Sequence, residues 1–332
     1  MRKFGILFFL LWVTHLGAVT WESFKHSYVQ SDGRVRDPQN GEISHTEGIG
    51  YAMFFAVSFN DQATFERLDR WLEDNIPKNE KGLYPWKWGK DTQGHWGVLD
   101  PNNATDGDMW IAYARIKAAQ TFHLPQQQTK ALAQLEALEK GVMLRVEGKL
   151  FLLPGAEGFV HPATLTLNPS YSIPFILETF GRVTSHPQWG ELLRNAHVLM
   201  KQRFSVYGLH PDWISYHQGV YSLLPENPSF SYDALRIPLF WSIWYRSHPD
   251  APNALEGYAK LTKLGYFPRS IDLLHNSASL YADHSDALCR SLAFFSPSTI
   301  KDCHDTNITY FSDAIALFAV LPPSCYDDTP LH

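Results

Sequence analysis

Positive charge, cysteine and long hydrophobic runs are all scarce in this chain. Its 332 residues include 28 lysines and arginines against 34 aspartates and glutamates, which gives a net charge of −6. No basic cluster is visible, which argues against nucleic acid as a partner because phosphate binding needs a basic patch. Beyond residue 18 no apolar run approaches the ~20 residues of a membrane-spanning helix. The hydrophobic content of 45% instead indicates a globular protein with a sizeable core.

The N-terminus has the three parts of a secretory signal. A basic start, Met1-Arg2-Lys3, precedes ten apolar residues at 4–13 and the small-residue site Leu16-Gly17-Ala18. This pattern predicts a cleaved signal peptide over residues 1–18 and a protein exported to the periplasm or secreted. A buried N-terminal helix or a membrane anchor is the alternative. Because no linker rich in Gly, Pro or Ser divides the remainder, we expect one domain over residues 19–332.

Three cysteines occur, Cys289, Cys303 and Cys325. Export permits one disulfide among them, and the spacing leaves open which pair forms it. No CxxC motif or close Cys/His spacing is present, so we expect no zinc site.

Helical periodicity dominates the chain. Long strand runs alternating with helices are lacking, which argues against Rossmann and TIM-barrel folds and predicts an all-α domain. Nearly all-apolar helices alternate with amphipathic ones, as expected for an inner ring of helices inside an outer ring. The predicted helices are 21–30, 48–59, 63–75, 106–122, 126–145, 171–180, 188–204, 232–245, 254–264, 277–294 and 308–321, with a strand near 149–153.

Three acidic side chains lie where a polar loop enters an apolar helix: Glu47, Asp106 and Asp233. Each could simply cap its helix or face the helix dipole. We expect Asp106 at an N-cap, and Gly48 and Gly50 to leave room for a ligand beside Glu47. The repeated design predicts that the three acids share one pocket, where paired carboxylates could carry out acid/base hydrolysis.

Aromatic residues supply a second signal. Trp86, Trp88 and Trp96 cluster in a predicted polar loop over 84–103, and Trp110 follows in the next helix. Core packing explains most aromatic residues, but it fits poorly for tryptophans interspersed with lysine and glycine. Flat rings on a surface suit stacking against sugars, and a row of them indicates a polymer cleft. Together with paired carboxylates, they point to glycoside hydrolysis.

Six segments, taken in order along the chain, resemble glycoside hydrolase family 8. Within that family the chain is most similar to the periplasmic endoglucanases encoded with bacterial cellulose synthase. The segments are Glu47-Gly48-Ile49-Gly50-Tyr51, Ala104-Thr105-Asp106-Gly107-Asp108 with Ile111-Ala112, Leu152-Leu153-Pro154-Gly155, Asn168-Pro169-Ser170-Tyr171, Pro211-Asp212-Trp213 and Ser231-Tyr232-Asp233-Ala234-Leu235-Arg236.

The resemblance implies an (α/α)6 barrel and an inverting endo-β-1,4-glucanase acting on cellulose or cello-oligosaccharides. It implies that Glu47 is the proton donor, Asp233 the general base, and Asp106 an acid that holds the sugar at the cleavage point. No metal or organic cofactor is expected, and we expect a monomer that could dock onto the cellulose synthase complex. Substrate contacts are predicted for Tyr51, Trp88, Trp96, Trp110, Tyr171, Tyr232 and Arg236.

Other readings remain open. Family 8 relatives also cleave xylan, chitosan or mixed-linkage glucan, and a non-catalytic glycan-binding protein could keep the same fold. A polysaccharide lyase is disfavoured because an acidic polymer calls for cationic help. The chain departs from the family pattern at His45, where Ser is common, and at Ala52. A helix N-terminus also favours an ionised carboxylate, whereas a donor must hold its proton. Our hypothesis is that Asp106 raises the pKa of Glu47.

Overall fold

A computed structural model describes residues 19–206, 208–249, 258, 261, 267–279, 285–295 and 309–326. The predicted signal peptide, most of the predicted helix 254–264 and Cys303 lie outside these residues. Cys289 is disulfide-bonded, and Cys325 is buried. The α-helices of the described ranges are α1 (Trp21–Tyr28), α2 (Thr46–Ser58), α3 (Gln62–Asn75), α4 (Thr105–Thr121), α5 (Pro125–Gly141), α6 (Pro174–Thr184), α7 (Pro187–Met200), α8 (Arg236–Ser247), α9 (Asp286–Phe295) and α10 (Tyr310–Val320).

Six of these helices form an inner ring. Helices α2, α4, α6, α8, α9 and α10 contact one another in that order. The ring closes where Phe318 of α10 packs edge-on against Tyr51 of α2, with ring centroids 4.8 Å apart. In α2 all but two residues are buried, whereas α3 buries a stripe that includes Phe65, Leu68 and Leu72 and leaves its other face to solvent. This arrangement is the (α/α)6 barrel that the sequence predicted.

The outer layer follows from the connections between helices. Helices α3, α5 and α7 each pack against the inner helix that precedes them in the chain, and α1 packs against α10. Short loops join the two helices of the pairs α2–α3, α4–α5 and α6–α7, and such loops favour antiparallel packing. No helix within the described ranges has the length and hydropathy of a membrane span.

Short antiparallel strands lie between the helices, and they account for three errors in the sequence prediction. The tryptophan segment expected to be a loop is a β-hairpin. The predicted helix 126–145 stops at Gly141 and continues as a strand, and the predicted helix 277–294 begins only at Asp286. The strands are β1 (Ser44–His45), β2 (Pro85–Lys90), β3 (Trp96–Asn103), β4 (Met143–Val146), β5 (Lys149–Leu152), β6 (Leu165–Leu167), β7 (Ile214–His217), β8 (Val220–Leu223), β9 (Ser229–Phe230), β10 (Ile271–Asp272) and β11 (Ser277–Ala278).

The physical reason for these errors is cross-strand pairing. Strand β4 pairs with β5 through a turn at Glu147 and Gly148, both at positive φ. Strand β11 pairs with β10, and Asn276 beside it also has positive φ. Both turns reverse the chain where periodicity alone would continue a helix.

Candidate active site

Two inner helices begin unusually close together and bring two of the predicted acids to one place. A Cβ atom at Gly107 in α4 would lie 2.8 Å from the backbone nitrogen of Glu47 in α2. Such a contact is not tolerated, so a glycine is required for the N-termini of α2 and α4 to meet. Glu47 and Asp106 therefore lie side by side in the first turns of adjacent helices.

Arg236, the first residue of α8, joins all three predicted acids. Its Nη1 donates to Glu47 Oε2 at 2.6 Å and to Asp106 Oδ2 at 2.9 Å. Its Nη2 contacts Asp233 Oδ1 at 2.5 Å. The Arg236 side chain is 2% exposed, so these ion pairs are largely shielded from water. Nη1 also donates to Tyr51 Oη at 3.2 Å, and Nη2 donates to Ser170 Oγ at 2.8 Å.

The acids differ in their access to solvent. A cavity of about 360 Å³ opens above Arg236, and Glu47 and Asp233 both line it. Their side chains are 20% and 28% exposed, against 1% for Asp106, which lies behind the guanidinium. Glu47 and Asp233 accept hydrogen bonds from different nitrogens of the Arg236 guanidinium, and both line the cavity. Asp106 binds the same guanidinium but does not line the cavity.

Burial gives Glu47 an unusually high proton affinity. It raises the pKa of Glu47 to about 7, against the opposing effect of Arg236, and the negative charge of Asp106 adds to the increase. His45 lowers the pKa slightly. The conflict between a helix N-terminus and a protonated carboxyl is therefore resolved mainly by desolvation. Asp106 acts in the direction that the sequence hypothesis required.

Asp233 occupies a different setting from the predicted one. It lies in the turn Ser231–Leu235, before α8 begins, and not in the helix itself. Burial raises its pKa to about 6, Arg236 opposes this, and Asp212 and Asp106 add to it. Burial thus raises the pKa of both carboxyls, and Glu47 has the higher pKa of the two, the order that an acid paired with a base requires.

Asp106 and Asp108 have separate tasks. The N-cap of α4 is Ala104, so the prediction that Asp106 caps the helix is wrong. Asp108 is fully buried and faces away from the cavity. It accepts hydrogen bonds from the Tyr84 N–H at 3.1 Å and from Asn103 Nδ2 at 2.9 Å. Asp108 thus anchors the start of α4 to the hairpin β2–β3.

The predicted tryptophans are not equivalent. Trp110 is completely buried and packs against core rings that include Tyr51 and Phe240, so the prediction that it contacts substrate is wrong. Trp88 is only 8% exposed, because it packs edge-on against Trp71 and lies under Trp96. Trp96 is 49% exposed and is the one of the three that presents a ring to solvent.

The remaining predicted contacts surround Arg236. Tyr51 is completely buried, so it holds Arg236 and has no surface for a sugar. Tyr171 lies 5.7 Å from the guanidinium carbon, measured to its ring centroid. Tyr232 is 50% exposed at the mouth of the cavity and packs edge-on against Phe311.

Several residues of the site were missed by the sequence reasoning. His45 caps α2 through Nδ1, which accepts from the Gly48 N–H at 3.0 Å, and its Nε2 faces Asp37 at 3.7 Å. Trp213 lies outside the cavity lining but beside Tyr171, with ring centroids 6.5 Å apart, and stacks on Phe159 with ring planes 3° apart. The segment Pro211-Asp212-Trp213 was the one available signal for Trp213. The missed cavity residues are Asp37, Gln39, Asn40, His45, Thr309, Tyr310 and Phe311.

The glycines beside Glu47 also serve another purpose than the predicted one. A Cβ atom at Gly50 would lie 2.6 Å from Trp110 Cβ, and one at Gly48 would lie 2.8 Å from Tyr310 Oη. Both glycines therefore allow close packing of the inner helices, and the expectation that they leave room for a ligand is wrong.

The chemistry available to this site is acid/base hydrolysis. Glu47 holds a proton near neutral pH, Asp233 can accept one, and both line one cavity. Among the residues with assigned positions, no group of His, Cys, Asp and Glu side chains is arranged to hold a metal ion.

Comparison with known proteins gives a consistent set of relatives. The family model described as glycosyl hydrolases family 8 matches residues 6–323. An endoglucanase of Pseudomonas fluorescens is 34% identical over 272 residues, covering 76% of this chain and 68% of that protein. A probable endoglucanase of Novacetimonas hansenii is 33% identical over 272 residues, covering 80% and 78% respectively.

A solved structure agrees with these relatives. The endo-β-1,4-glucanase CMCax from Acetobacter xylinum superposes with a TM-score of 0.80 at 30% identity, covering 91% of this chain and 95% of the other.

Proposed function

The chain belongs to glycosyl hydrolase family 8, and on that premise we propose that it hydrolyses internal bonds of β-1,4-glucan with inversion at the anomeric carbon. The observation that carries the proposal is the pair Glu47 and Asp233, which line one cavity and are bridged by Arg236. The endoglucanase relatives support the substrate class.

In the proposed reaction Glu47 donates its proton to the glycosidic oxygen as the bond to the anomeric carbon breaks. Asp233 removes a proton from a water molecule, and the water oxygen bonds to the opposite face of that carbon. The proton lost by Glu47 thus goes to the leaving sugar, and the proton of the water goes to Asp233. Inverting enzymes separate their two carboxyl groups by about 6.5–9.5 Å to admit this water.

Arg236 and Asp106 would prepare the two reacting groups. When Asp233 is ionised, Arg236 stabilises its charge, and when Glu47 loses its proton the same guanidinium stabilises the product carboxylate. Asp106, 1% exposed and bound to Nη1, fixes the guanidinium from below. Arg236 therefore supplies one positive charge that acts both on Asp233 as the base and on Glu47 after it has lost its proton. The expected contact of Asp106 with the sugar stays a prediction, because its side chain is 1% exposed and does not line the cavity.

The cleft beyond the cleavage point would be built from exposed rings. Strand β1 pairs with β2, so Ser44 lies opposite Trp88. Ser44 is only three residues before Glu47 in the chain. Trp96 stacks on Trp88 with ring centroids 4.9 Å apart, and Arg34 lies 4.3 Å from the Trp96 ring. Trp96 is therefore a supported, outward-facing platform for a distant sugar unit.

Trp96→Ala is expected to raise KM for long cello-oligosaccharides by about tenfold, or ~1.4 kcal/mol, with little change in KM for short ones. The reason is that only a long chain reaches from the cleavage point to this ring. Steady-state kinetics on a length series of soluble oligomers measures the effect. Equal losses for the shortest and longest substrates would rule out a distant subsite at Trp96.

Trp88→Ala serves as the comparison for Trp96→Ala. Because Trp88 is buried against Trp71, its removal should lower thermal stability, with a cost of about 3–5 kcal/mol for a buried large ring. The Trp96 variant should unfold close to the wild-type temperature.

The proposed role is that of an exported endo-1,4-β-glucanase linked to bacterial cellulose synthesis, acting as a single catalytic domain after removal of residues 1–18. The relative from Novacetimonas hansenii and the structure from Acetobacter xylinum support glucan as substrate. Hydrolysis of cellopentaose, followed by proton NMR within the first minutes, tests the proposal. We expect internal cleavage with the α-anomer of the new reducing end appearing first.

Initial release of the β-anomer would contradict inversion. Faster cleavage of xylan, chitosan or mixed-linkage glucan than of β-1,4-glucan would replace the substrate assignment. Binding without release of reducing ends would replace the enzyme by a glycan-binding protein.

A further inference from the structure

Asp212 is a buried carboxylate that the proposed reaction does not use. It lies two residues before β7, in the segment Pro211-Asp212-Trp213, and is 5% exposed. Isolated buried carboxylates are costly, so such a group requires strong hydrogen-bond donors. The donors that surround it all come from one turn.

That turn is the one that carries Asp233. Asp212 Oδ1 accepts from the Ser231 N–H at 2.9 Å and from the Ala234 N–H at 2.8 Å, while Oδ2 contacts Ser231 Oγ. The Asp212 N–H donates to the Ser229 carbonyl oxygen at 2.7 Å. Residues on both sides of Asp233 are therefore tied to one carboxylate, which fixes the position of the turn.

The same carboxylate acts on Asp233 through space. The hydrogen-bond donors to Asp212 are neutral, so they leave it a net negative charge when it is ionised. The negative charge of Asp212 raises the pKa of Asp233. Only two effects on that pKa are larger: burial, which also raises it, and Arg236, which lowers it. A carboxylate whose pKa lies nearer the working pH is a stronger base.

Other groups face these two carboxyls. Around Asp233 are Arg236, which lowers its pKa, Asp106, which raises it, and the Asn168 amide, which lowers it. Tyr171 also lies within electrostatic range of Asp233. Arg236 and the Tyr258 hydroxyl lie within electrostatic range of Asp212.

We propose that Asp212 is a positioning residue for the proposed hydrolysis: it clamps the turn that presents Asp233 to the cavity and supplies a like charge that keeps Asp233 a strong base. This inference rests on the proposed role of Asp233 as general base. The two effects, clamping and charge, are separable by substitution.

Asp212→Asn removes the charge and keeps the clamp. The amide oxygen can still accept from the Ser231 and Ala234 N–H groups, and the amide NH2 can donate to Ser231 Oγ. The acidic limb of the pH profile of kcat/KM, which follows the base, should move to lower pH by roughly one unit. Asp212→Ala removes both effects and should lower kcat by about 10²-fold with little change in KM.

Asp74→Asn is the control. It removes an exposed charge on α3 and should not move the acidic limb. An acidic limb that stays in place in Asp212→Asn would overturn the charge effect. Wild-type kcat in a folded Asp212→Ala protein would overturn the clamp.

A readout without turnover separates this inference from the proposed function. Titration of ¹³C-labelled aspartate by NMR, with the Asp233 signal assigned through Asp233→Asn, follows the base directly. We expect a lower pKa for Asp233 in Asp212→Asn than in the wild type, whatever the substrate. An unchanged titration would overturn the inference even if the enzyme proves to be an inverting glucanase.

Discussion

Glu47→Gln is expected to reduce kcat on polymeric β-1,4-glucan by about 10³-fold and to leave glucan binding nearly intact. General acid catalysis contributes about 10²–10⁴-fold, and glutamine has no acidic proton to give. Glutamine keeps the size of Glu47 and can still accept a hydrogen bond from Arg236. Initial rates, together with binding of a cello-oligosaccharide by calorimetry, measure the two quantities separately.

The leaving group provides a control within the same variant. An aryl β-cellobioside with a strongly acidic phenol needs no proton from the enzyme. Its cleavage by Glu47→Gln should therefore fall far less than cleavage of the polymer. Glu80→Gln, an exposed glutamate exchanged in the same way, should behave as wild type. Equal losses on both substrates would argue that Glu47 is not the donor.

Asp233→Asn is expected to cause a loss of similar size for a different reason. The amide cannot accept a proton from water, so the nucleophile is no longer activated while the glycosidic oxygen can still be protonated. The activity of Asp233→Asn should therefore stay low for the aryl glycoside as well as the polymer. This contrast with Glu47→Gln separates the base from the acid.

Azide tests the role of Asp233 further. Azide is a nucleophile with no proton to lose, so it should restore turnover in Asp233→Ala, where the shorter side chain leaves room. The product should be the α-glycosyl azide, since attack occurs from the face opposite to the leaving group. A β-glycosyl azide, or no rescue combined with near-wild-type hydrolysis, would remove Asp233 from the assignment.

The sequence predicted the helical fold because burial depends on local periodicity. All-apolar α2 and amphipathic α3 differ in pattern, and that difference places one inside and the other outside the barrel. Strand pairing is not local in this sense. The hairpin β2–β3 and the strand β4 depend on partners and turns, so their residues looked like a loop or a continued helix.

The site could be predicted in part for the same reason. Glu47, Asp106 and Asp233 stood out because each follows a polar loop and enters an apolar stretch. The hydrogen-bond network centred on Arg236 depends on three helices meeting. The spacing of residues in the sequence does not show which helices meet. Trp110 was wrongly predicted to contact substrate. In the sequence, an aromatic residue near a motif looks the same whether it faces a cleft or the core.

Glu47 holds its proton through burial and the charge of Asp106, against the opposing effect of Arg236. The decisive measurement is the pH profile of kcat/KM on a soluble cello-oligosaccharide for the wild type and for Asp106→Asn. Activity requires protonated Glu47, so activity falls as pH rises through the pKa of Glu47, which is about 7. Because removing the charge of Asp106 lowers that pKa, we expect the basic limb to lie at lower pH in the variant than in the wild type. A basic limb at the same pH in both proteins would show that Asp106 does not raise the pKa of Glu47.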